Sequence, residues 1–177
     1  MADTIYALSS GAPPAGIGVI RISGPRAGEA LSRMAGGLPP ARSPRLRIVR
    51  NGEGAALDQA LVMWFAGPNT ATGEDLAEIH CHGGRAVVAA LLAALSSIDG
   101  LREAEPGEFT RRAFSNGRID LAEAEGLADL LSAETELQRR GALLAAGGDL
   151  SRRIEGWRDR VLGLAASIEA VIDFADE

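Results

Sequence analysis

The chain has 177 residues, of which 46% are hydrophobic and 24% are charged, as in an ordinary soluble globular protein. Its length is enough for one domain and a small second unit. All 18 basic residues are arginine, so the sequence excludes a P-loop lysine, and with it a standard Walker A nucleotide site, and also a lysine Schiff base. A single cysteine, a start without a signal core and the lack of a membrane-length apolar stretch predict a reducing, cytoplasmic location.

Charge is distributed unevenly along the chain. Residues 1–118 carry 12 arginines against 11 acidic residues, a net charge of +1, whereas residues 119–177 carry 6 arginines against 13, a net charge of −7. The total of −6 argues against a general nucleic-acid surface that tracks phosphates. The asymmetry predicts two units with different tasks.

Residues 1–118 have the pattern of a compact sheet domain. Short apolar runs bounded by Gly, Pro and Asn predict strands, and three longer stretches predict helices. The predicted strands cover residues 4–8, 18–23, 45–49, 60–65, 76–82 and 101–104, and the predicted helices cover 24–34, 85–95 and 108–114. Ser23 is expected to N-cap the first helix, which Gly36-Gly37 ends. The uninterrupted apolar run at 60–65 predicts a central strand that is buried on both faces.

Residues 119–177 have helical patterning instead. Asp120 and Glu123 form a capping-box pattern, and no strong breaker follows before Ala146. The apolar-leaning stripe of this stretch is Leu121, Ala124, Leu127, Leu131 and Thr135. Gly147-Gly148 interrupts it, and Asp149 can cap a second helix with a heptad-like seam, which needs a partner helix. The seam consists of Leu150, Ile154, Trp157, Val161, Leu164, Ile168 and Val171.

The predicted fold class is therefore α+β. A compact mixed α/β sheet domain over residues 1–118 precedes the long α-helices of an incomplete helical domain over residues 119–177. Two helices alone bury only part of their apolar surface. We therefore expect either a fragment of a longer protein or an oligomer that supplies the missing helices.

Both histidines and the only cysteine lie in the predicted strand 76–82. His80 and His82 share a strand face with Glu78 and have a spacing that metal ligands use, but the chain has no further His or Cys, and we predict no metal site. Cys81 points to the other face, away from both histidines, and is expected to be a buried structural thiol and not a nucleophile.

Two other patterns have structural explanations. Gly16-Ile17-Gly18 precedes a strand and is followed by Arg21 where a dinucleotide-binding motif has its third glycine, so a tight loop is expected there. A cluster of arginines surrounds the proline-rich loop at 38–44 and is expected to form a solvated edge, because no aromatic residues are interleaved for base stacking. The cluster is Arg42, Arg45, Arg47 and Arg50.

Arg21 and Glu78 are charges in the middle of apolar strands, where an unpaired charge is costly to bury. They form either a structural ion pair across the sheet or part of a pocket for a ligand with both donors and anionic groups. A carboxylate can accept two parallel hydrogen bonds from an amino-pyrimidinone edge, and arginine binds carboxylate or phosphate in a bidentate manner. The pattern leaves both interpretations open.

Several sequence blocks are far more specific together than alone. They are Asp3-Thr4-Ile5, the run GVIRISGP at 18–25, Gly67-Pro68-Asn69 followed by Thr72-Gly73-Glu74-Asp75, His80-Cys81-His82-Gly83-Gly84, the run EPGEFTRRAF at 105–114, the run DLAEAE at 120–125 and Ile172-Asp173-Phe174. In this order and spacing, they resemble the MnmE (TrmE) family of tRNA-modification GTPases over essentially the whole chain.

The resemblance implies a first domain that binds a one-carbon tetrahydrofolate, such as 5-formyltetrahydrofolate, and forms a homodimer with the folate near the interface. It implies a helical domain into which a Ras-like GTPase is inserted, where GTP, Mg²⁺ and K⁺ bind. The full family protein modifies the wobble uridine of certain tRNAs together with the flavoprotein MnmG. This chain has no P-loop, Asn-Lys-x-Asp or Cys-x-Gly-Lys motif. We therefore expect no GTP hydrolysis and no catalysis by this chain alone.

Position by position, the resemblance implies Arg21, Glu78 and Arg118 as the folate contacts, and no catalytic residues. Glu78 would accept from the amino and ring N–H groups of the pterin, and the two arginines would meet the glutamate tail or a carbonyl. The family more often has lysine at the position of Arg118, and the loop at 13–18 departs from a version richer in glycine and arginine. No convincing general base or nucleophile is present, which disfavours a stand-alone one-carbon enzyme.

The alternative is a non-catalytic assembly module without folate binding. In that case the Arg21–Glu78 pair is structural, and the function of the chain is assembly through the helical seam. This alternative predicts helix content that depends on concentration.

Overall fold

The computed structural model describes residues 3–173, so the family-like block that ends at Phe174 reaches beyond the described residues. The contacts of the chain divide into two compact units, Met1–Arg118 and Ile119–Glu177. Within the described residues, the first unit contains six strands and three helices, and the second contains three helices. This combination confirms the predicted α+β class.

The elements of the first unit lie close to their predicted positions. The strands are β1 (Thr4–Leu8), β2 (Ile17–Ser23), β3 (Arg45–Arg50), β4 (Ala56–Phe65), β5 (Leu76–His82) and β6 (Leu101–Glu103). The helices are α1 (Ala27–Ala35), α2 (Arg85–Ser96) and α3 (Glu108–Ser115). Gly36 ends α1 in the left-handed conformation, with φ of 69°, as the Gly-Gly pair predicted.

The six strands form one sheet in the order β3-β4-β5-β2-β1-β6. All neighbouring strands are antiparallel except β1 and β6, which are parallel. In the centre of the sheet, Arg21 of β2 and Met63 of β4 both lie opposite Glu78 of β5. Because directly opposite residues point to the same side, these three side chains share one face of the sheet.

The other face of the sheet packs against α1 and α2. Ile20, Ile22 and Ile79 are fully buried there, in one apolar cluster with Leu31 of α1 and Leu91 of α2. Burial of each such side chain stabilises the fold by about 1.5–3 kcal/mol. Because alternate strand residues fill this core, the residues between them are left on the face that carries Glu78.

The prediction that Ser23 N-caps α1 is wrong. β2 continues through Ser23, so α1 begins only at Ala27, and Arg26 occupies the N-cap position without a side-chain hydrogen bond. The buried Ser23 hydroxyl instead lies 2.7 Å from Thr72 Oγ1 and donates to Glu74 Oε2 at 2.8 Å. Ser23 therefore connects the end of β2 to the loop that precedes β5.

The prediction that the run at 60–65 is buried on both faces is also wrong. Ala60, Val62 and Trp64 are buried on the helix-covered face, whereas Leu61 is 37% exposed on the opposite face. Helices α1 and α2 both pack on the same side of the sheet, so the apolar run in β4 supplies core on that face and a surface on the other.

The second unit consists of α4 (Leu121–Ser132), α5 (Glu136–Ala146) and α6 (Asp149–Asp173). The predicted capping box of Asp120 and Glu123 starts α4. The predicted absence of a break before Ala146 is wrong, because α4 ends at Ser132 and Thr135 forms a second capping box with Gln138. Thr135 is thus an N-cap and does not belong to an apolar stripe.

The predicted seam lies along α6, which begins at Asp149. The exposed fractions of its seven apolar residues range from 47% for Leu150 to 71% for Val171. Such a row of exposed apolar side chains agrees with the predicted need for a partner. Among the helices of the described residues, none combines the length and the apolar character that a membrane span requires.

Candidate ligand-binding site

Glu78 has close polar contacts on the open face of the sheet, which is the face opposite α1 and α2. Its Oε1 accepts hydrogen bonds from Arg21 Nε at 3.1 Å and Arg21 Nη2 at 2.8 Å, and its Oε2 accepts one from His80 Nε2 at 3.0 Å. Because a carboxylate offers only acceptors when ionised, Nε2 of His80 carries the proton. The two mid-strand charges therefore pair with each other, which is one of the two interpretations that the sequence left open, and His80 is an additional partner.

The electrostatics of the site keep Glu78 ionised. Burial raises the pKa of its carboxyl, but the hydrogen bonds from His80 and Arg21 together outweigh burial, so the pKa lies below its usual value. The side chain of Glu78 is 14% exposed and that of Arg21 is 31% exposed. The carboxylate is thus shielded from bulk water and charged at neutral pH, which suits it for binding a ligand that donates hydrogen bonds.

Glu78 and Arg118 line the same cavity, which has a volume of about 370 Å³. This volume is within the usual range for small-molecule sites. The other lining residues come from the segment before β3, from the end of β4, from the loop before β5 and from β5 itself: Arg42, Phe65, Asn69, Thr70, Ala71 and Leu76. Arg21 pairs with Glu78 from the neighbouring strand, so the structure brings the three predicted contacts into one region of the first unit.

The loop before β5 forms one wall of this cavity and is held by hydrogen bonds at both ends. Asp75 Oδ1 accepts from Gly67 N at 2.9 Å, and Thr70 Oγ1 donates to Glu74 O at 2.6 Å. Near its middle, Thr72 O accepts from the side-chain amide of Asn116 at 2.7 Å. The wall is therefore tied to the C-terminal end of α3.

That connection also positions Arg118. The chain leaves α3 through Gly117, with φ of 65°, and Arg118 N donates to Ala113 O at 2.8 Å. Gly73, with φ of 78°, lies so close that a Cβ there would be 2.8 Å from Asn116 Cβ and 3.1 Å from Arg118 Cγ. Only glycine fits this approach without strain, so Gly73 allows the arginine to lie against the loop.

Arg21 has a second neighbour besides Glu78. Its guanidinium carbon lies 5.8 Å from the centroid of the Phe109 ring, in the range of a cation–π contact. Phe109 belongs to α3, so the same helix supports both Arg21 and Arg118.

The two histidines and the cysteine do not converge on a metal site. His80 is directed to Glu78, whereas His82 Nδ1 lies 2.7 Å from Asp58 Oδ1. Within residues 3–173 the structure has no group of three or more potential metal ligands. Cys81 is 3% exposed, and burial raises the pKa of its thiol, which confirms the prediction of a buried structural cysteine.

Sequence reasoning did not identify Arg42 as a residue of the cavity wall. Arg45, Arg47 and Arg50 are exposed on β3, an edge strand, as predicted for a solvated basic edge. Arg42 is exposed as well, but it lies before this strand and lines the cavity beside Phe65. The only signal in the sequence was the proline-rich loop around it, which does not reveal where an arginine side chain will point.

Comparison with known proteins agrees with both units. Residues 4–118 match the family described as the GTP-binding protein TrmE N-terminus, and residues 121–177 match the MnmE helical domain. These matches confirm the resemblance that the sequence blocks predicted.

Individual relatives carry the same description. The chain is 65% identical over 175 residues to the tRNA modification GTPase MnmE of Erythrobacter litoralis. This match covers 99% of the chain and 41% of that protein. It is 66% identical over 178 residues to the protein of the same name from Novosphingobium aromaticivorans, covering 100% of the chain and 41% of the relative. The protein of that name from Sinorhizobium medicae is 57% identical over 175 residues, with coverages of 99% and 40%. The chain thus spans about two fifths of the length of these relatives.

Proposed function

The chain belongs to the MnmE family of tRNA modification GTPases, and we propose on this premise that its first unit binds a reduced folate that carries a one-carbon group. The ligand we propose is 5-formyltetrahydrofolate or a closely related tetrahydrofolate. Glu78 would hold the amino and ring N–H groups of the pterin, and Arg21 and Arg118 would meet a carbonyl or the glutamate tail. When bound, the folate would supply the carbon unit.

The observation that carries this proposal is the ionised, shielded carboxylate of Glu78 in the wall of a cavity of about 370 Å³. A pterin presents an amino group and an adjacent ring N–H on one edge. A carboxylate can accept both hydrogen bonds in parallel, and a shielded site strengthens them because water does not compete.

Binding of this kind requires a rearrangement of Arg21. Oε1 of Glu78 already accepts two hydrogen bonds from Arg21, and Oε2 accepts one from His80. A carboxylate has about four acceptor positions, so only one is left for a ligand with two donors. The partly exposed Arg21 would give up a bond to Glu78, and its guanidinium would then be available to an anionic or carbonyl group of the ligand.

The test is titration calorimetry of the chain with 5-formyltetrahydrofolate. We expect the wild type to bind and Glu78→Gln, which keeps the side-chain shape, to bind at least about tenfold more weakly, because a hydrogen bond to a charged group contributes about 1.5–3 kcal/mol. Glu53→Gln, an exposed carboxylate on the β3–β4 turn, is the matched control and should bind like the wild type. Equal affinities of wild type and Glu78→Gln for 5-formyltetrahydrofolate would contradict the assignment of the site.

We also propose that the first unit forms a homodimer through the open face of the sheet. Leu46, Leu61, His80 and Val19 lie opposite one another on four successive strands. Leu46 is 59% exposed, and Ile48 on the same side of β3 is 48% exposed. Exposed apolar side chains such as Leu46, Ile48 and Leu61 on a sheet face favour burial against another protein surface, and a second copy offers the same side chains by symmetry.

The activity of the whole family protein is a further part of the proposal. We propose that it modifies the wobble uridine of tRNA in the cytoplasm, with a flavoprotein of the MnmG type as its partner. GTP, Mg²⁺ and K⁺ would bind in a GTPase domain outside these 177 residues, because a sequence without lysine cannot form the P-loop.

A non-catalytic assembly module is the second candidate. It is supported by the exposed seam of α6 and by the fact that both oxygens of Glu78 already have protein partners. It predicts no heat of binding with 5-formyltetrahydrofolate, so the same titration separates the two candidates.

A further inference from the structure

We infer that Arg42 is a ligand-binding residue of the same cavity, and that together with Arg118 it selects ligands with an anionic tail. This inference rests on the proposed function, in which the ligand is a folate. It concerns the tail of glutamyl carboxylates and not the pterin.

The first observation is the position of Arg42 on the cavity wall. Its guanidinium carbon lies 5.8 Å from the centroid of the Phe65 ring, and its Nη2 donates a hydrogen bond to Asn69 O. Phe65 and Asn69 line the cavity as well. The planar guanidinium is thus oriented by an aromatic face and a carbonyl, an arrangement that leaves its other N–H groups free to bind a carboxylate.

The second observation is the backbone of Arg42. Its φ is 59°, and among the residues that the structure describes it is the only non-glycine residue with a positive φ. Its N–H donates to Trp64 O at 2.7 Å, which fixes the turn against the end of β4. This conformation is energetically unfavourable for a residue with a Cβ, and such strained residues cluster at binding sites.

The third observation is the charge balance of the cavity. In the described part of the chain, neither Arg42 nor Arg118 has a carboxylate within 4 Å, whereas Arg21, Arg102 and Arg112 each have one. Glu78 is an acidic group of the cavity wall, and Arg21 already pairs with it. Two guanidinium groups without a counter-charge therefore share one cavity, and a dianionic tail would neutralise them.

The consequence is a division of recognition within the site. Glu78 would bind the pterin, and Arg42 and Arg118 would bind the two carboxylates of the terminal glutamate. Removal of Arg42 should then weaken the binding of ligands with a tail and leave the binding of a bare pterin unchanged.

The experiment compares two ligands, 5-formyltetrahydrofolate and 6-methyltetrahydropterin, which lacks the tail. Titration calorimetry measures the first, and saturation-transfer NMR, which reports millimolar affinities, measures the second. Arg42→Asn removes the charge, and asparagine tolerates the left-handed backbone. We expect Arg42→Asn to weaken binding of the folate about tenfold and to change binding of the pterin less than twofold, since the lost contact is a charge-assisted hydrogen bond to the tail.

Two further variants sharpen the test. Arg42→Lys keeps the charge but loses the planar fork, so it should recover part of the affinity for the folate. Arg45→Asn removes an exposed arginine three residues away that does not line the cavity, and it should bind both ligands like the wild type.

The outcomes separate this inference from the proposed function. Failure of the wild type to bind the folate overturns the proposed function, and this inference with it. If the wild type binds the folate and Arg42→Asn binds both ligands equally well, only the role of Arg42 is wrong. An equal loss of affinity for both ligands also contradicts the inference, because it shows that Arg42 supports the fold of the cavity and not recognition of the tail.

Discussion

Glu108 is 3% exposed, and each of its oxygens is engaged by arginine. Oε1 accepts from Arg102 Nη2 at 2.5 Å and from Arg112 Nη2 at 3.1 Å, and Oε2 accepts from Arg102 Nη1 at 2.8 Å. Arg112 in turn bonds Glu74 and Asp3. This network joins α3, β6 and the loop before β5, so it supports the helix end from which Arg118 reaches the cavity.

The pKa of Glu108 makes this network dependent on pH. The hydrogen bond from Arg102 is the main cause that lowers the pKa of Glu108 from 4.5 to about 2, against the effect of burial. A carboxyl with a lowered pKa in the folded state stabilises the fold above its unfolded pKa, and this stabilisation is lost as the pH falls from about 4.5 to about 2. Glu108→Gln should therefore lower the free energy of unfolding at pH 7 by about 2–3 kcal/mol.

Urea unfolding at pH 7, 4 and 3 measures this effect. The difference in unfolding free energy between wild type and Glu108→Gln should shrink as the pH falls, because protonation removes the charge from the wild type as well. Glu53→Gln, at an exposed position, should differ little from the wild type at any of these pH values. A difference that stays constant with pH would show that packing, and not charge, accounts for the loss.

Single residues were predicted well where burial constrains their chemistry. Arg21 and Glu78 stood out because charges in mid-strand need partners, and Cys81 followed from alternation along β5. The place of Arg42 in the cavity wall was not predicted, because it depends on a left-handed turn and on the distant Phe65, and neither can be read from neighbouring residues.

At the scale of elements, α4 and α5 pack closely at Gly126. A Cβ on Gly126 would lie 2.4 Å from Ala146 N and 2.7 Å from Ala145 Cβ. Gly141 of α5 has nothing within 4 Å of the corresponding point and is exposed. The two glycines, both in helix interiors, therefore differ: Gly126 allows the two helices to approach closely, whereas Gly141 has space for a side chain.

Substitution of each glycine by alanine, in separate variants, tests this difference. Gly126→Ala should destabilise the chain by about 1–3 kcal/mol, because the backbones of α4 and α5 must separate. Gly141→Ala should stabilise it by about 0.5–1 kcal/mol, because alanine is the better helix former. Urea unfolding followed by the helical circular dichroism signal measures both, and stabilisation by Gly126→Ala would contradict the close approach of α4 and α5.

Element bounds followed from local signals where those signals were strong. Turn glycines and apolar runs predicted the six strands, and Asp120 with Glu123 predicted the start of α4. The break between α4 and α5 was missed because Ala133-Glu134 contains no Gly or Pro, although Thr135 and Gln138 have capping-box spacing. Helix ends without strong breakers depend on packing as much as on sequence.

At the scale of the whole molecule, two apolar surfaces compete as sites of self-association. One is the row on the open sheet face that includes Leu46 and Leu61, and the other is the seam of α6. The proposed folate-binding homodimer would use the first surface, and the alternative assembly module would use the second.

One pair of variants decides between these surfaces. We expect Leu46→Glu to convert a dimer into a monomer in analytical ultracentrifugation, because the new charge would be buried at the interface at a cost of several kcal/mol. Ile168→Glu, at a position of α6 that is 60% exposed, should leave the dimer intact. The opposite result would favour the assembly module.

By itself, the sequence determined the α+β class, the strands and helices of the first unit, the need of the mid-strand charges Arg21 and Glu78 for partners, and the family of the chain. These features depend on local periodicity, on the cost of burying a charge and on motifs in fixed order. Only the tertiary structure decided that Ser23 holds the loop before β5, that one face of β4 is open and that Arg42 shares a cavity with Arg118. These features depend on which segments distant in sequence come together, because hydrogen-bond partners and cavity walls are supplied by residues that no local pattern identifies.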